Sequence, residues 1–239
     1  TSSIGMIPVQ NARITISYKG VPDVTVVQLD TDNSGQTETI DLPSPPIDYS
    51  MEPGRLEQPY SEYNVRVEAE GYEPVEVSGT EILPEVTAWQ NVEMNPSETS
   101  EEDNEIIEEG EIVLSRVVIP EYIVVHDGVP EDSTARNYYV RYRDYIKNVA
   151  SSEIYATWPE STIYANVLAI MSFTLNRVYT EWYRNKGYNF TITSSTAYDQ
   201  KWIYGRNIYS NISLIVDTIF ANYLSRPGVR QPIFTSYCD

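Results

Sequence analysis

Glu153 is the residue in this chain best placed, by its neighbours, to move a proton. It stands in the stretch 151–186, SSEIYATWPESTIYANVLAIMSFTLNRVYTEWYRNK, next to Ile154 and shortly before Tyr155 and Trp158. A carboxylic acid kept protonated by apolar surroundings can deliver a proton to a leaving oxygen near neutral pH, the step that opens a glycosidic bond. A second polar set follows at 193–200. There Thr193, Ser194, Ser195 and Thr196 offer hydroxyls, Tyr198 a flat face for a pyranose ring, and Asp199 and Gln200 polar ends that can fix sugar or acetamido groups. Asp199 is also a second carboxylate, able in principle to activate water. Taken by themselves these residues have plainer readings: Glu153 as a helix-cap or solvated carboxylate, and 193–200 as a polar loop between helices. His126, the only histidine, has no Ser or Cys companion at a recognisable catalytic spacing.

The elements that would position these groups are legible as patterns. Pro159 suits the first turn of a helix and Gly187 a left-handed exit, with no Gly or Pro between them. Ile163, Val167, Leu168, Ile170, Met171, Leu175, Val178, Tyr179 and Trp182 fall near helical spacing, so a long core helix is expected between Pro159 and Gly187. Glu153, six residues before Pro159, would sit on the preceding turn with its carboxylate at the mouth of whatever that helix packs into. A short helix is expected near 144–151, after a tyrosine-rich strand, and another over 207–224, stopped by Pro227-Gly228. With one or two strands around Pro120, the second half reads as helices packed on a modest sheet.

At SSEIYATWP followed by YANVLAIMSFTL the sequence resembles the stage II sporulation protein D family, most closely its clostridial branch of spore cortex-lytic enzymes. GYNFTITSSTAYDQKWIYG and the terminal PIFTSYCD continue the similarity, which spans roughly 118–239. The resemblance implies a peptidoglycan lytic transglycosylase of the spore cortex or an extracellular site, acting during germination. Its single Glu, here Glu153, would serve as both acid and base. Ser152, Tyr155 and Trp158 around the Glu, Thr193, Ser195, Thr196, Tyr198, Asp199 and Gln200 in the second block, and Tyr237 in the third would contact glycan. Gln200, Tyr204 and Gly205 match a recurring Gln, Tyr and Gly of the family. The family's Arg-Thr-Tyr in the helix is replaced by Met171, Ser172 and Phe173. The family also continues beyond the last residues here, which implies a second polypeptide completing the cleft, or a fragment inactive alone. The alternative is a non-catalytic wall-binding or scaffold protein that keeps the fold.

Composition bounds the rest. The 239 residues are 41% hydrophobic, enough for real cores in one or two domains. The formal charge of −19 is unevenly spread: −12 over 1–96, −8 over 97–111 and +1 over 112–239. Such acidity argues against nucleic acid and anionic lipid as partners, and no apolar run reaches the length of a membrane span. No cofactor is expected. A lone cysteine, Cys238, excludes an intrachain disulfide, and it would hold a metal only together with groups outside this chain. The first region alternates through NARITISY, VTVVQLD, TETIDL, YNVRVEAEG, YEPVEVSG and AWQNVEM, separated by turn formers. This pattern reads as a small β-sandwich, similar to carboxypeptidase-regulatory or transthyretin-like modules. Its Asp30, Asp32, Asn33 and Glu38 lack the spacing of an EF-hand and read as a hairpin turn. The expected organisation is therefore α+β: a sandwich over 1–96, an acidic linker over 97–111 and the sporulation protein D-like domain over 112–239. The resemblance also makes 1–96 a pro-region and 97–116 the target of an activating protease.

Overall fold

The computed structural model describes residues 1–2, 7–52, 54–97 and 117–236. The chain divides into two compact units, Thr1–Ile106 and Ile107–Asp239, and it is of mixed α and β content. Among the described residues no helix is long and apolar enough to cross a membrane.

The first unit is built on strands β1 (Arg13–Tyr18), β2 (Val21–Asp30), β3 (Ser61–Glu68) and β4 (Val75–Ile82). A short helix, α1 (Asp48–Met51), lies between β2 and β3, and a two-residue strand, β5 (Ala88–Trp89), follows β4. The four longer strands form one antiparallel sheet in the order β2-β1-β3-β4. Alternation decides which face is buried. Ile14 and Ile16 of β1 lie opposite Val67 and Val65 of β3, all four in the core with Tyr63 and Met94. Arg66 and Glu68 of β3 point outward and pair at 2.8 Å. A sandwich would need a second sheet over this face. The layer found there is irregular chain instead, contributing Ile40, Leu42 and Val92 to the core. TETIDL therefore packs its half-buried Ile40 and Leu42 on the core without forming a strand, and only Ala88–Trp89 of AWQNVEM is extended as one. Tyr63 ties the two layers by donating its hydroxyl to the Pro43 carbonyl at 2.6 Å.

The second unit opens with β6 (Tyr122–His126) and β7 (Asn137–Arg141), an antiparallel pair that runs directly into α2 (Tyr142–Glu153). Then come α3 (Glu160–Tyr179), a 3₁₀ turn (Arg184–Lys186), β8 (Ile192–Thr193), β9 (Ile208–Tyr209) and α4 (Ser210–Ile219). β8 joins β6 in parallel, so the sheet order is β7-β6-β8. α2 buries Tyr142, Tyr145, Ile146, Val149 and Ala150, a stripe at helical spacing, against α3 and α4. α3 is buried on most sides in its second half, from Ile170 to Val178, and is the central rod of the unit.

Two boundaries differ from the sequence pattern. α3 begins after Pro159, as the proline directs, but ends at Tyr179 rather than running toward Gly187. The exit is made by Glu181 in a left-handed conformation, φ 46°, a role that Gly or Asn usually takes. Gly187, φ 85°, instead closes the 3₁₀ turn that follows. The last helix is also shorter than expected, ten residues from Ser210, with Ile212, Ile215, Val216 and Ile219 inward and Leu214 outward.

Candidate functional site

Glu153 is the last residue of α2, not part of a separate turn. The helix carries it on a buried body: Val149 and Ala150 one turn earlier are fully inaccessible. A carboxylate at a helix C-terminus faces the partial negative charge of the last carbonyls, an unfavourable place unless a donor is supplied. Lys201 supplies one, its backbone N–H donating to Glu153 Oε1 at 2.7 Å. Glu153 is half-buried. Ile154 and Ala156, which follow it, are buried, and the rings of Tyr155 and Trp158 meet edge to face at 5.6 Å between centroids. Asn211 of α4 holds this turn by donating to the Ala156 carbonyl at 2.6 Å. Ser152 donates to the Asn148 carbonyl one turn back, at 2.8 Å.

The segment that reaches Glu153 is anchored from inside. Asp199 has no exposed side-chain surface and accepts four hydrogen bonds: from Arg177 Nε at 2.7 Å, Tyr183 hydroxyl at 2.6 Å, Thr193 N–H at 2.9 Å and Thr193 hydroxyl at 2.7 Å. Burial and the bond to Asp199 push the Tyr183 phenol well above its ordinary range. Arg177 lies among the rings of Phe234, Trp182, Phe173 and Tyr183, which cover its guanidinium with aromatic faces. Gln200, fully buried, accepts from the hydroxyls of Thr174 at 2.8 Å and Tyr145 at 3.2 Å, and donates to the Ile170 carbonyl at 3.1 Å.

These geometries separate the expected glycan contacts. Thr193, Asp199 and Gln200 face inward, and the protein itself satisfies their polar atoms; a sugar does not reach them in this structure. The expectation that they contact substrate is corrected accordingly: a run of hydroxyls, acid and amide reads as an exposed loop, but long-range partners draw half of it into the core. Ser195, half-buried, accepts the N–H groups of Tyr198 and Asp199 through its carbonyl. Thr196 and Tyr198 remain at the surface. The Tyr198 hydroxyl lies 3.4 Å from Glu131, whose charge raises its pKa. Ser152, Tyr155 and Trp158 are half-buried beside Glu153. Tyr237 and Cys238 lie outside the described residues.

His126 is enclosed, stacked on Phe190 at 4.4 Å, with Nδ1 2.7 Å from Asn137 Oδ1 and Nε2 3.1 Å from the Val129 carbonyl. Met171 is buried, and Ser172 accepts the Leu224 N–H at 2.8 Å. In the first unit, Asp32 Oδ1 accepts from Ser34 N–H, Ser34 hydroxyl and Gln36 N–H, a closed turn that holds its carboxyl below the usual range.

Sequence reasoning did not single out the residues that pin this site. Asn148 of α2 both donates to and accepts from Ile203, at 2.8 and 3.0 Å, and Arg206 donates to the Ser151 carbonyl at 2.5 Å. Beyond Lys201 the rings of Trp202 and Tyr204 gather on Tyr138 of β7. No family model, no curated protein and no solved structure matches this chain.

Proposed function

We propose that the second unit cleaves the glycan strands of peptidoglycan as a lytic transglycosylase, with Glu153 as its acid and base. The observation that carries this reading is the setting of Glu153: a half-buried carboxylate on the end of a rigid helix, fixed by the Lys201 N–H at 2.7 Å and flanked by Tyr155 and Trp158. In the proposed reaction the protonated Glu153 gives its proton to the glycosidic oxygen as the bond from the muramic acid C1 to that oxygen breaks. The carboxylate left behind takes the proton of the same muramic acid's C6 hydroxyl as that oxygen closes on C1, and Glu153 is returned to its starting state. No water is consumed.

The burial of Asp199 supports this reading over hydrolysis. A second carboxylate that activates water must meet that water. Asp199 is inaccessible and committed to Arg177, Tyr183 and Thr193.

The resemblance supplies the substrate, spore cortex peptidoglycan during germination. It also supplies a role for the first unit as pro-region or spacer, and cleavage by a protease within 97–116. A non-catalytic wall-binding or scaffold protein is the second reading, favoured by Met171 standing where the resemblance implies an Arg. The two separate on one comparison. Digestion of purified sacculi by the full chain releases anhydro-muramic ends, and Glu153→Gln does not, if the first reading holds; a parent chain that binds sacculi without releasing any ends supports the second.

A further inference from the structure

Tyr204 is the most exposed ring in the second half of the segment that touches Glu153, with 59% of its surface accessible. It is not a stray side chain. Its ring stacks on Tyr138 at 4.8 Å between centroids and 29° between planes. Trp202 supports both, 5.4 Å from Tyr138 and 6.3 Å from Tyr204, and is itself buried with its indole N–H making no hydrogen bond. An aromatic ring held by two others has little rotamer freedom left to lose when something packs on it, which is what a preformed binding platform requires.

The platform is fixed to the helix that carries Glu153. Counting along the chain, Lys201 N–H bonds Glu153, Ile203 is held through both backbone groups by Asn148, and Arg206 donates to Ser151. Tyr204 therefore lies on a short loop clamped at three points to the last two turns of α2. Tyr138 comes from β7, which runs directly into the same helix. Asn148, Ser151 and Glu153 tie the loop, the aromatic cluster and the carboxylate into one rigid block.

We infer that Tyr204, backed by Tyr138 and Trp202, forms a stacking subsite for a pyranose ring of a β-1,4-linked N-acetylhexosamine strand, lying on the same block as Glu153. This inference rests on the glycan reading above and adds the place where the strand is gripped, which the inward-facing Thr193, Asp199 and Gln200 leave open. The occupant is a sugar because Tyr204 presents an exposed, flat, supported ring on a loop of polar backbone, matching the C–H face of a pyranose and its hydroxyl edge.

The test uses the full chain and two probes: a soluble tetramer of β-1,4-linked N-acetylglucosamine, followed by calorimetry, and purified sacculi, followed by co-sedimentation. Tyr204→Ala is the central variant because its exposure lets the fold stand, checked by an unchanged unfolding midpoint. Tyr204→Phe keeps the stacking face. The expected result is about a tenfold or greater loss of affinity in Tyr204→Ala, the scale of losing one well-packed aromatic contact, with Tyr204→Phe within about twofold of the parent and Glu153→Gln binding like the parent. Parent affinity in Tyr204→Ala overturns the subsite and leaves the role of Glu153 standing. Tyr204-dependent binding together with no cleavage by the parent keeps the subsite and overturns the catalytic reading. No binding of either probe by the parent overturns the subsite.

Discussion

Arg177 and Asp199 form the most deeply placed ion pair described in this chain, and the energetics of such a pair are asymmetric. Two charges removed from water gain little net stability together, yet either one alone is a buried uncompensated charge. Arg177→Met is therefore expected to cost about 3–5 kcal/mol in urea unfolding. Removing the Tyr183 hydroxyl is a smaller loss, because Asp199 keeps three donors: Tyr183→Phe should cost about 1–2 kcal/mol. The pH dependence follows from the direction of the shift. Burial raises the phenols of Tyr183 and Tyr142 above their unfolded value of about 10. A group whose folded pKa is raised contributes its full stability below the unfolded pKa and loses it as pH climbs past that value. Unfolding midpoints should hold steady up to about pH 10 and fall above it, and Tyr183→Phe should show a shallower fall.

The end of α3 shows what an element boundary costs when the usual residue is absent. Glu181 adopts φ 46° and is half-buried, with burial raising its carboxyl pKa. A non-glycine residue in the left-handed region carries about 1–2 kcal/mol of steric cost, which Asn tolerates better. The Glu181–Arg184 contact at 3.4 Å involves an exposed arginine and offsets little. Glu181→Asn is expected to raise stability by about 1 kcal/mol at pH 7, read as a higher thermal midpoint. The gain should shrink as pH falls and Glu181 takes up its proton, since a raised carboxyl pKa disfavours the fold only where the group is charged. This boundary was not legible in the sequence, because Gly187 is a strong exit signal and a Glu at the actual exit gives none. The start of α3 was legible because Pro159 fixes it. TETIDL illustrates a second limit: its alternation reads as a strand, and Ile40 and Leu42 do pack, half-buried, on the core, but a strand also needs a neighbour to complete its backbone bonds, and alternation does not report one. The same limit governs the candidate site. The sequence pattern offers Glu153 and the 193–200 block as separate sets; what joins Glu153 to that segment is the backbone N–H of Lys201, which no side-chain pattern reports. That Thr193, Asp199 and Gln200 turn inward depends on Arg177, Thr174 and Tyr145, whose distance along the chain hides the pairing.

At the scale of the whole chain, each unit has its own core: Ile14, Ile16, Tyr63, Val65 and Val67 in the first, and the buried faces of α2, α3 and α4 in the second. The stretch 97–111, rich in acid and poor in apolar residues, reads from its composition as a linker and, beyond Ser97, lies outside the described residues. Limited proteolysis with a broad-specificity protease is expected to cut within 97–116 before any other place. Early cuts inside β3 or α2 would contradict that organisation.

The central claim is that Glu153 moves the proton that opens a glycosidic bond, and product analysis of digested sacculi tests it most directly. Anhydro-muramic ends are expected from the parent chain, with a loss of at least about a hundredfold in Glu153→Gln, the scale of general acid catalysis. Reducing ends in place of anhydro ends, or equal turnover by parent and variant, would contradict it.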